Sequence, residues 1–186
     1  MTSARTRPVI LDRDGTVVID RAYLDDPAGL CFLPGAAEGL RALSHNGHLL
    51  IVITNQSGVG RGRFTFERMQ EINDRFIEMA AAAGARIDAV YACPHDPASE
   101  CDCRKPKTKL ALDAARHFGF DPANAIVVGD KSTDVELGKR LQATTMLISA
   151  NGRATDEEWV KPDYIVRDLL EASAIVDRLA QGTASS

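Results

Sequence analysis

An α/β fold, with a parallel sheet covered by helices on both faces, is the architecture this sequence predicts, and three observations carry the prediction. Short runs rich in β-branched and aliphatic residues alternate with longer stretches of helical periodicity, the pattern of successive βα units. The chain has 186 residues, 45% of them hydrophobic, enough for one domain with a sizeable core. No repeat or internal linker interrupts it, so a single domain over residues 1–186 is expected.

In chain order, strands are expected at Val9–Leu11, Leu49–Ile53, Ile87–Ala92, Ala125–Val128 and Thr144–Ile148, each a short apolar run of strand length. Between them, Ala36–Asn46 has helical spacing. Met69, Ile72, Phe76, Met79 and Ala83 mark a longer helix, with Thr65 as N-cap and Gly84 as its stop. Further helices are expected at Thr108–Phe118, Thr133–Leu141 and Leu169–Leu179. Cys31, alone among apolar neighbours, is expected as a small buried side chain, and His45, His48 and His117 as surface or packing residues. The polar ends, Met1–Arg7 and Gln181–Ser186, have the composition of frayed termini. Two segments follow neither period, Asp20–Leu33 and Cys93–Lys107, and loops of that length in an α/β domain are often functional.

Bulk charge excludes some partners. A net charge of −4 offers no basic field for nucleic acid or anionic lipid. The acidic, aromatic-poor chain also lacks the basic, aromatic-bearing strip of a nucleic-acid phosphatase. No run approaches the roughly 20 apolar residues that span a bilayer, and no signal-peptide core follows the polar start. A cytoplasmic location is expected, with the four cysteines as thiols or metal ligands rather than disulfides.

Ligands of open α/β sheets bind beyond the carboxyl ends of the strands. Three of the expected strands end in polar groups: Asp12-Arg13-Asp14 after the first, Thr54-Asn55-Gln56-Ser57-Gly58 after the second, and Asp130-Lys131 through Asp134 after the fourth. Parallel strands bring these ends to one edge. Asp12, Asp14 and Asp130 together offer the hard oxygens that Mg²⁺ takes, and crowded acids need such a cation to offset their repulsion. Asp beside Gly is also ordinary turn chemistry; the repeat of the acidic pattern after a second strand favours the metal. Thr54 to Gly58 offers a hydroxyl and backbone amides suited to phosphate oxygens, and Lys105 can bring a positive charge to the same anion.

Cys93-Pro-His95 and Cys101-Asp-Cys103 place three thiols and an imidazole in one loop, residues 93–103. Cys₃His is a recognised structural zinc set, so Cys93, His95, Cys101 and Cys103 are expected to hold Zn²⁺. Their job would be to stiffen the loop that carries Arg104 and Lys105.

The motifs "DRDGT", "TNQSG", "RKP" and "GDKSTD", in that order over Val9–Ile148, resemble the haloacid dehalogenase superfamily of phosphatases. The resemblance implies a Rossmann-like, haloacid dehalogenase-like sheet without a large cap. It also implies Asp12 as the nucleophile that becomes an aspartyl phosphate and Asp14 as the acid and base that also lends its backbone carbonyl to Mg²⁺. Thr54 and Lys105 would steady the phosphoryl group. Asp130 would bind Mg²⁺, and Asp134 would order its loop. The zinc loop is similar to that of the capless branch containing the heptose bisphosphate and histidinol-phosphate phosphatases. "DRDGT" with Asp20-Arg-Ala-Tyr23, and "TNQSGVGRGRFT", look like the former; the compressed "CPHDPASECDCRKPKTKL" looks closer to the latter. A sugar bisphosphate carries a second dianion, which Arg104, Lys131, Arg61 and Arg63 are placed to meet. Histidinol phosphate would favour acids or aromatics, which Asp20, Tyr23, Asp25 and Asp26 supply. The heptose bisphosphate is the favoured expectation, its C7 phosphate the one removed. Asp20, Tyr23, Asn55, Gln56, Ser57, Arg104 and Lys131 are the expected substrate contacts beside Thr54 and Lys105, in an enzyme acting as a monomer. A sugar-phosphate-binding module without turnover is the rival reading, which the presence of both Asp12 and Asp14 opposes.

Overall fold

The computed structural model describes residues 6–149 and 160–182. Its centre is a six-stranded, all-parallel sheet of β1 (Pro8–Leu11), β2 (Leu49–Asn55), β3 (Ala89–Cys93), β4 (Ile126–Gly129), β5 (Thr144–Ile148) and β6 (Tyr164–Val166), in the order β3-β2-β1-β4-β5-β6. The chain winds outward from β1 to β3, crosses back, and winds outward again from β4. The reversal falls between β1 and β4, where Leu11 pairs with Val128, and a doubly wound sheet opens its binding crevice at such a point.

Period-2 alternation sorts the strand side chains between two cores. Val9, Leu11, Leu50, Val52, Ile126, Val128 and Met146 face α1 (Ala36–His45), α3 (Phe66–Ala82) and α6 (Leu169–Gly182). Ile10, Ile51, Ile53 and Val127 face α4 (Lys109–Phe118) and α5 (Ser132–Arg140). Both faces are covered, so the strands read as unbroken apolar runs. Thr65 caps α3 by accepting from the Arg68 amide at 3.2 Å, and its stripe, Met69, Ile72, Phe76 and Ala80, is buried.

Four expectations are corrected. The edge strand β6 escaped notice because it is only three residues long. A four-residue helical turn, α2 (Ser57–Gly60), occupies the expected phosphate loop. Cys31 is exposed, its thiol turned back to the Phe32 carbonyl, because only half-buried neighbours surround it in an irregular segment. The termini are tied further out than their polarity implies. The Arg7 amide donates to His48 Nδ1 at 3.0 Å and its guanidinium to the Leu179 carbonyl at 3.3 Å, while Gln181 and Gly182 close the last turn of α6. Residues 1–5 and 183–186 of those ends lie outside the described residues. His48 is a packing residue, buried against Asp177 at 2.9 Å; His45 and His117 lie on the surface.

Candidate active site

The β1–β4 ladder runs one residue past β1, the Asp12 amide donating to the Val128 carbonyl at 3.0 Å, and that bond fixes where the Asp12 carboxylate stands. Asp130 leaves β4 beside it. Gly129 lets the chain pass so close to Asp134 that a Cβ would overlap that side chain. Asp134, in the first turn of α5, accepts from the Lys131 amide at 3.1 Å, which orders the loop as expected. Carboxylate oxygens of Asp12, Asp130 and Asp134 all lie within 4.8 Å of one another. Around an octahedral Mg²⁺ bound at about 2.1 Å, oxygens are separated by about 3–4 Å, so the donor set fits that ion in chemistry and spacing.

Lys105 is the counterweight. Its ammonium lies 2.7 Å from Asp12 Oδ1 and 2.7 Å from Asp134 Oδ1, and only 4% of the residue is exposed. Burial alone would lower its pKa, but the two carboxylates outweigh burial and hold it above the ordinary lysine value. Asp12 is held above the usual carboxylate range by burial, which Lys105 only partly offsets and Asp134 reinforces. Asp130 is pushed up to about 7, first by burial and then by the charges of Asp12 and Asp134, against the pull of Lys131. Acids crowded to that degree have a standing demand for a divalent cation.

The Asp14 carboxylate turns away from this trio. Arg13 reaches it at 2.9 Å and Gln56 Nε2 donates to it at 2.6 Å, while Thr54 Oγ1 is 3.4 Å away. Only the backbone of Asp14 therefore remains for the metal role that the resemblance implied. Thr54 is 1% exposed beneath Gln56, which donates to its hydroxyl at 2.8 Å. Gly15, at φ +89°, makes the turn between these groups and lies against Asp130, where a Cβ would overlap the carboxylate.

Above these groups opens a cleft of about 630 Å³, lined by every expected substrate contact except the submerged Thr54. Its walls are cross-braced. Lys131 Nζ lies 3.0 Å from Asp20 Oδ2, and Arg61 spans from the Tyr23 hydroxyl at 2.5 Å to Asp96 at 3.1 Å. Arg63 covers the Tyr23 ring with its guanidinium 5.5 Å from the centroid. Three of the four cations expected to meet a second phosphate are thus engaged with the rim. The fourth, Arg104, has a buried Nη1 without a hydrogen-bond partner among the described residues, and its side chain lines the cleft.

Below the cleft, Cys93, His95, Cys101 and Cys103 converge. Cys93 Sγ lies 3.0 Å from Cys103 Sγ and 3.6 Å from Cys101 Sγ, and His95 Nδ1 lies 3.1 Å from Cys103 Sγ. Tetrahedral Zn²⁺ with ligands at about 2.0–2.3 Å separates its donors by about 3.3–3.8 Å, close to these values. Burial, with the neighbouring Cys103 thiol, pushes Cys93 up to about 12, so without a cation that thiol keeps its proton. The α2 turn rests on this loop: the Gly60 amide donates to the Pro94 carbonyl at 2.8 Å, and a Cβ on Gly60 would collide with the Asp96 backbone.

The chain is similar to D-glycero-beta-D-manno-heptose-1,7-bisphosphate 7-phosphatase of Pasteurella multocida (strain Pm70), at 32% identity over 96% of this chain and 99% of the relative. It belongs to that heptose bisphosphate phosphatase family. The Vibrio cholerae (serotype O1, strain El Tor Inaba N16961) member is 35% identical over 81% of this chain and 84% of its own. A family model described as HAD-hydrolase-like matches residues 102–172, and the fold is haloacid dehalogenase-like. Among solved structures of the heptose bisphosphate phosphatase family, the enzyme from B. bronchiseptica, complexed with magnesium and phosphate, superposes with a TM-score of 0.84 at 30% identity, covering 95% of this chain and 99% of that one. That from Burkholderia Thailandensis gives 0.67 at 29% identity, with coverage of 97% and 100%.

Within this heptose bisphosphate phosphatase fold, sequence reasoning missed Arg13, Asn73 and Thr16, and gave Asp134 too small a part. Arg13 is 1% exposed and donates to Asn73 on α3; Thr16 Oγ1 donates to Asp130 at 3.1 Å. Asn73, on the buried face of α3 among Met69, Ile72 and Phe76, was the legible signal, since a buried amide needs a polar partner.

Proposed function

We propose that this protein is a Mg²⁺-dependent phosphatase that removes the C7 phosphate of D-glycero-D-manno-heptose 1,7-bisphosphate, in nucleotide-activated heptose biosynthesis. The observation that carries the reading is the buried Asp12 carboxylate at the sheet's switch point, gripped by Lys105 at 2.7 Å beside Asp130 and Asp134. The names of the relatives at 32% and 35% identity support the substrate, and are given for the β anomer.

Asp12 attacks phosphorus, the bond to the C7 oxygen breaks, and an aspartyl phosphate forms on Asp12. Asp14 gives its proton to the departing alkoxide and then takes one from the water that hydrolyses the aspartyl phosphate. Arg13 and Gln56 hold Asp14 in the cleft wall until it takes up this role. Lys105 and Thr54 steady the phosphoryl oxygens. Asp12, Asp130 and the Asp14 backbone carbonyl would hold Mg²⁺, with Asp134 close by; when bound, the ion neutralises phosphate charge that would otherwise repel Asp12. Cys93, His95, Cys101 and Cys103 would hold a structural Zn²⁺ that aims Arg104 and Lys105.

Arg104, which lines the cleft and whose Nη1 has no hydrogen-bond partner among the described residues, supports a bisphosphate as the cation for its second phosphate. Among the described residues no helix is long and apolar enough to cross a membrane. Free thiols at all four cysteines suit the cytoplasm.

The test is a side-by-side kcat/KM comparison of both anomers of heptose 1,7-bisphosphate with histidinol phosphate, with Asp12→Asn as control. We expect preference for the β anomer and loss of turnover in the variant without loss of fold. Preference for histidinol phosphate would overturn the substrate; residual turnover well above background in Asp12→Asn would overturn the nucleophile.

A further inference from the structure

Asn55 ends β2, and its side-chain amide pairs with the backbone of a distant residue at both polar atoms. The Lys105 amide donates to Asn55 Oδ1 at 3.0 Å, and Asn55 Nδ2 donates to the Lys105 carbonyl at 3.2 Å. This is a strand-like pairing made by one side chain, and among the common side chains the primary amide alone offers a donor and an acceptor in that shape. Residues 94–108 contain no helix or strand, so their backbone groups depend on such partners. From the backbone fixed in this way, the Lys105 side chain reaches 2.7 Å from both Asp12 and Asp134.

We propose that Asn55 is a positioning residue: its amide clamps the Lys105 backbone and so places the Lys105 ammonium on the phosphoryl-transfer site, rather than reading the sugar. The proposal deepens the phosphatase reading and rests on it. A lysine has four rotatable bonds, so its ammonium is held between two carboxylates only if its Cα is held first. Gln, one methylene longer, and Asp, which lacks the donor, cannot reproduce both bonds.

The experiment compares wild type, Asn55→Ala, Lys105→Met and the double variant, with a generic aryl phosphate and with heptose 1,7-bisphosphate, in saturating Mg²⁺, each variant checked by thermal melting. We expect Asn55→Ala to lower kcat by the same factor, about tenfold to hundredfold, on both substrates, as misplacement of a reacting group does. We expect the double variant to match Lys105→Met. A double variant well below Lys105→Met, or a loss confined to KM for the heptose, makes Asn55 a direct contact and overturns the proposal. Where Lys105→Met leaves too little rate to measure, the two-substrate comparison decides: equal kcat factors support the clamp and a heptose-only effect overturns it. If Asn55→Ala does not fold, Asn55→Ser is measured in its place. Failure of wild type on the heptose with turnover of the aryl phosphate would sink the substrate reading alone, and the double-variant comparison on the aryl phosphate would still judge Asn55.

Discussion

Arg13 Nη1 donates to Asn73 Oδ1 at 2.7 Å, a buried bond that ties the residue between the two catalytic aspartate candidates to a helix on one face of the sheet. The rest of the guanidinium holds Asp14, at 2.9 Å and 3.2 Å. Asn73 therefore acts on the site without lining the cleft.

Replacing Asn73 with Leu keeps the volume and removes the acceptor. The charged guanidinium is then left with one buried nitrogen unpaired, which costs about 1–3 kcal/mol. Urea denaturation should show that loss at an unchanged slope, together with a fall in kcat. Wild-type stability in the variant would mean that Arg13 finds another partner.

Lys105→Met removes the cation that Asp12 and Asp134 share. Losing one partner of a buried pair costs about 3–5 kcal/mol, and losing a preorganised charge at a transferring phosphoryl costs about 10²–10³ in rate. Mg²⁺ should recover part of the stability and little of the rate. A variant as active as wild type would remove Lys105 from the mechanism.

The carboxylate cluster predicts an unusual response to pH. Asp130 titrates near 7 in the folded, metal-free protein, well above the ordinary carboxylate value of 3.8. Between those values the folded state keeps a proton that the unfolded chain has released, so this group's contribution to stability falls as pH rises from about 4 to about 7 and is flat above. Mg²⁺ displaces the proton. The rise in melting temperature on adding Mg²⁺ should be larger at about pH 8 than at about pH 5.5. Equal rises would mean that the cation binds elsewhere.

Cys101→Ser should lower zinc content and thermal stability more than it alters the Mg²⁺ dependence of turnover, since Cys101 belongs to the sulfur cluster and not to the carboxylate group. Metal analysis of protein purified without chelator checks the first half. Wild-type protein without zinc would remove the structural-metal reading.

Much of the molecule could be read along the chain. Five of the six strands and the long helices follow from apolar periodicity, because a sheet buried on both faces demands unbroken hydrophobic runs. β6 could not be read, since three residues carry too little pattern to distinguish a strand from a loop. Asp12, Asp130 and Lys105, and the cluster of Cys93, His95, Cys101 and Cys103, were visible as residue types at strand ends or in one short loop. Asn55 and Gln56 were visible as polar residues, but not their partners, because hydrogen bonds between residues 50 and 42 positions apart leave no local trace.

The sequence by itself determined which strands form and which chemical groups stand at their carboxyl ends, because periodicity and residue type are local properties. Only the tertiary structure decided how those groups pair: that Lys105 is shared by Asp12 and Asp134, that Asp14 is held by Arg13 and Gln56, and that Arg61 and Lys131 brace the rim while Arg104 keeps a nitrogen unpartnered among the described residues. Burial makes that difference physical. In a low-dielectric crevice each charge must find its counter-charge within a few ångströms, and the crossover between β1 and β4 determines which one lies within reach.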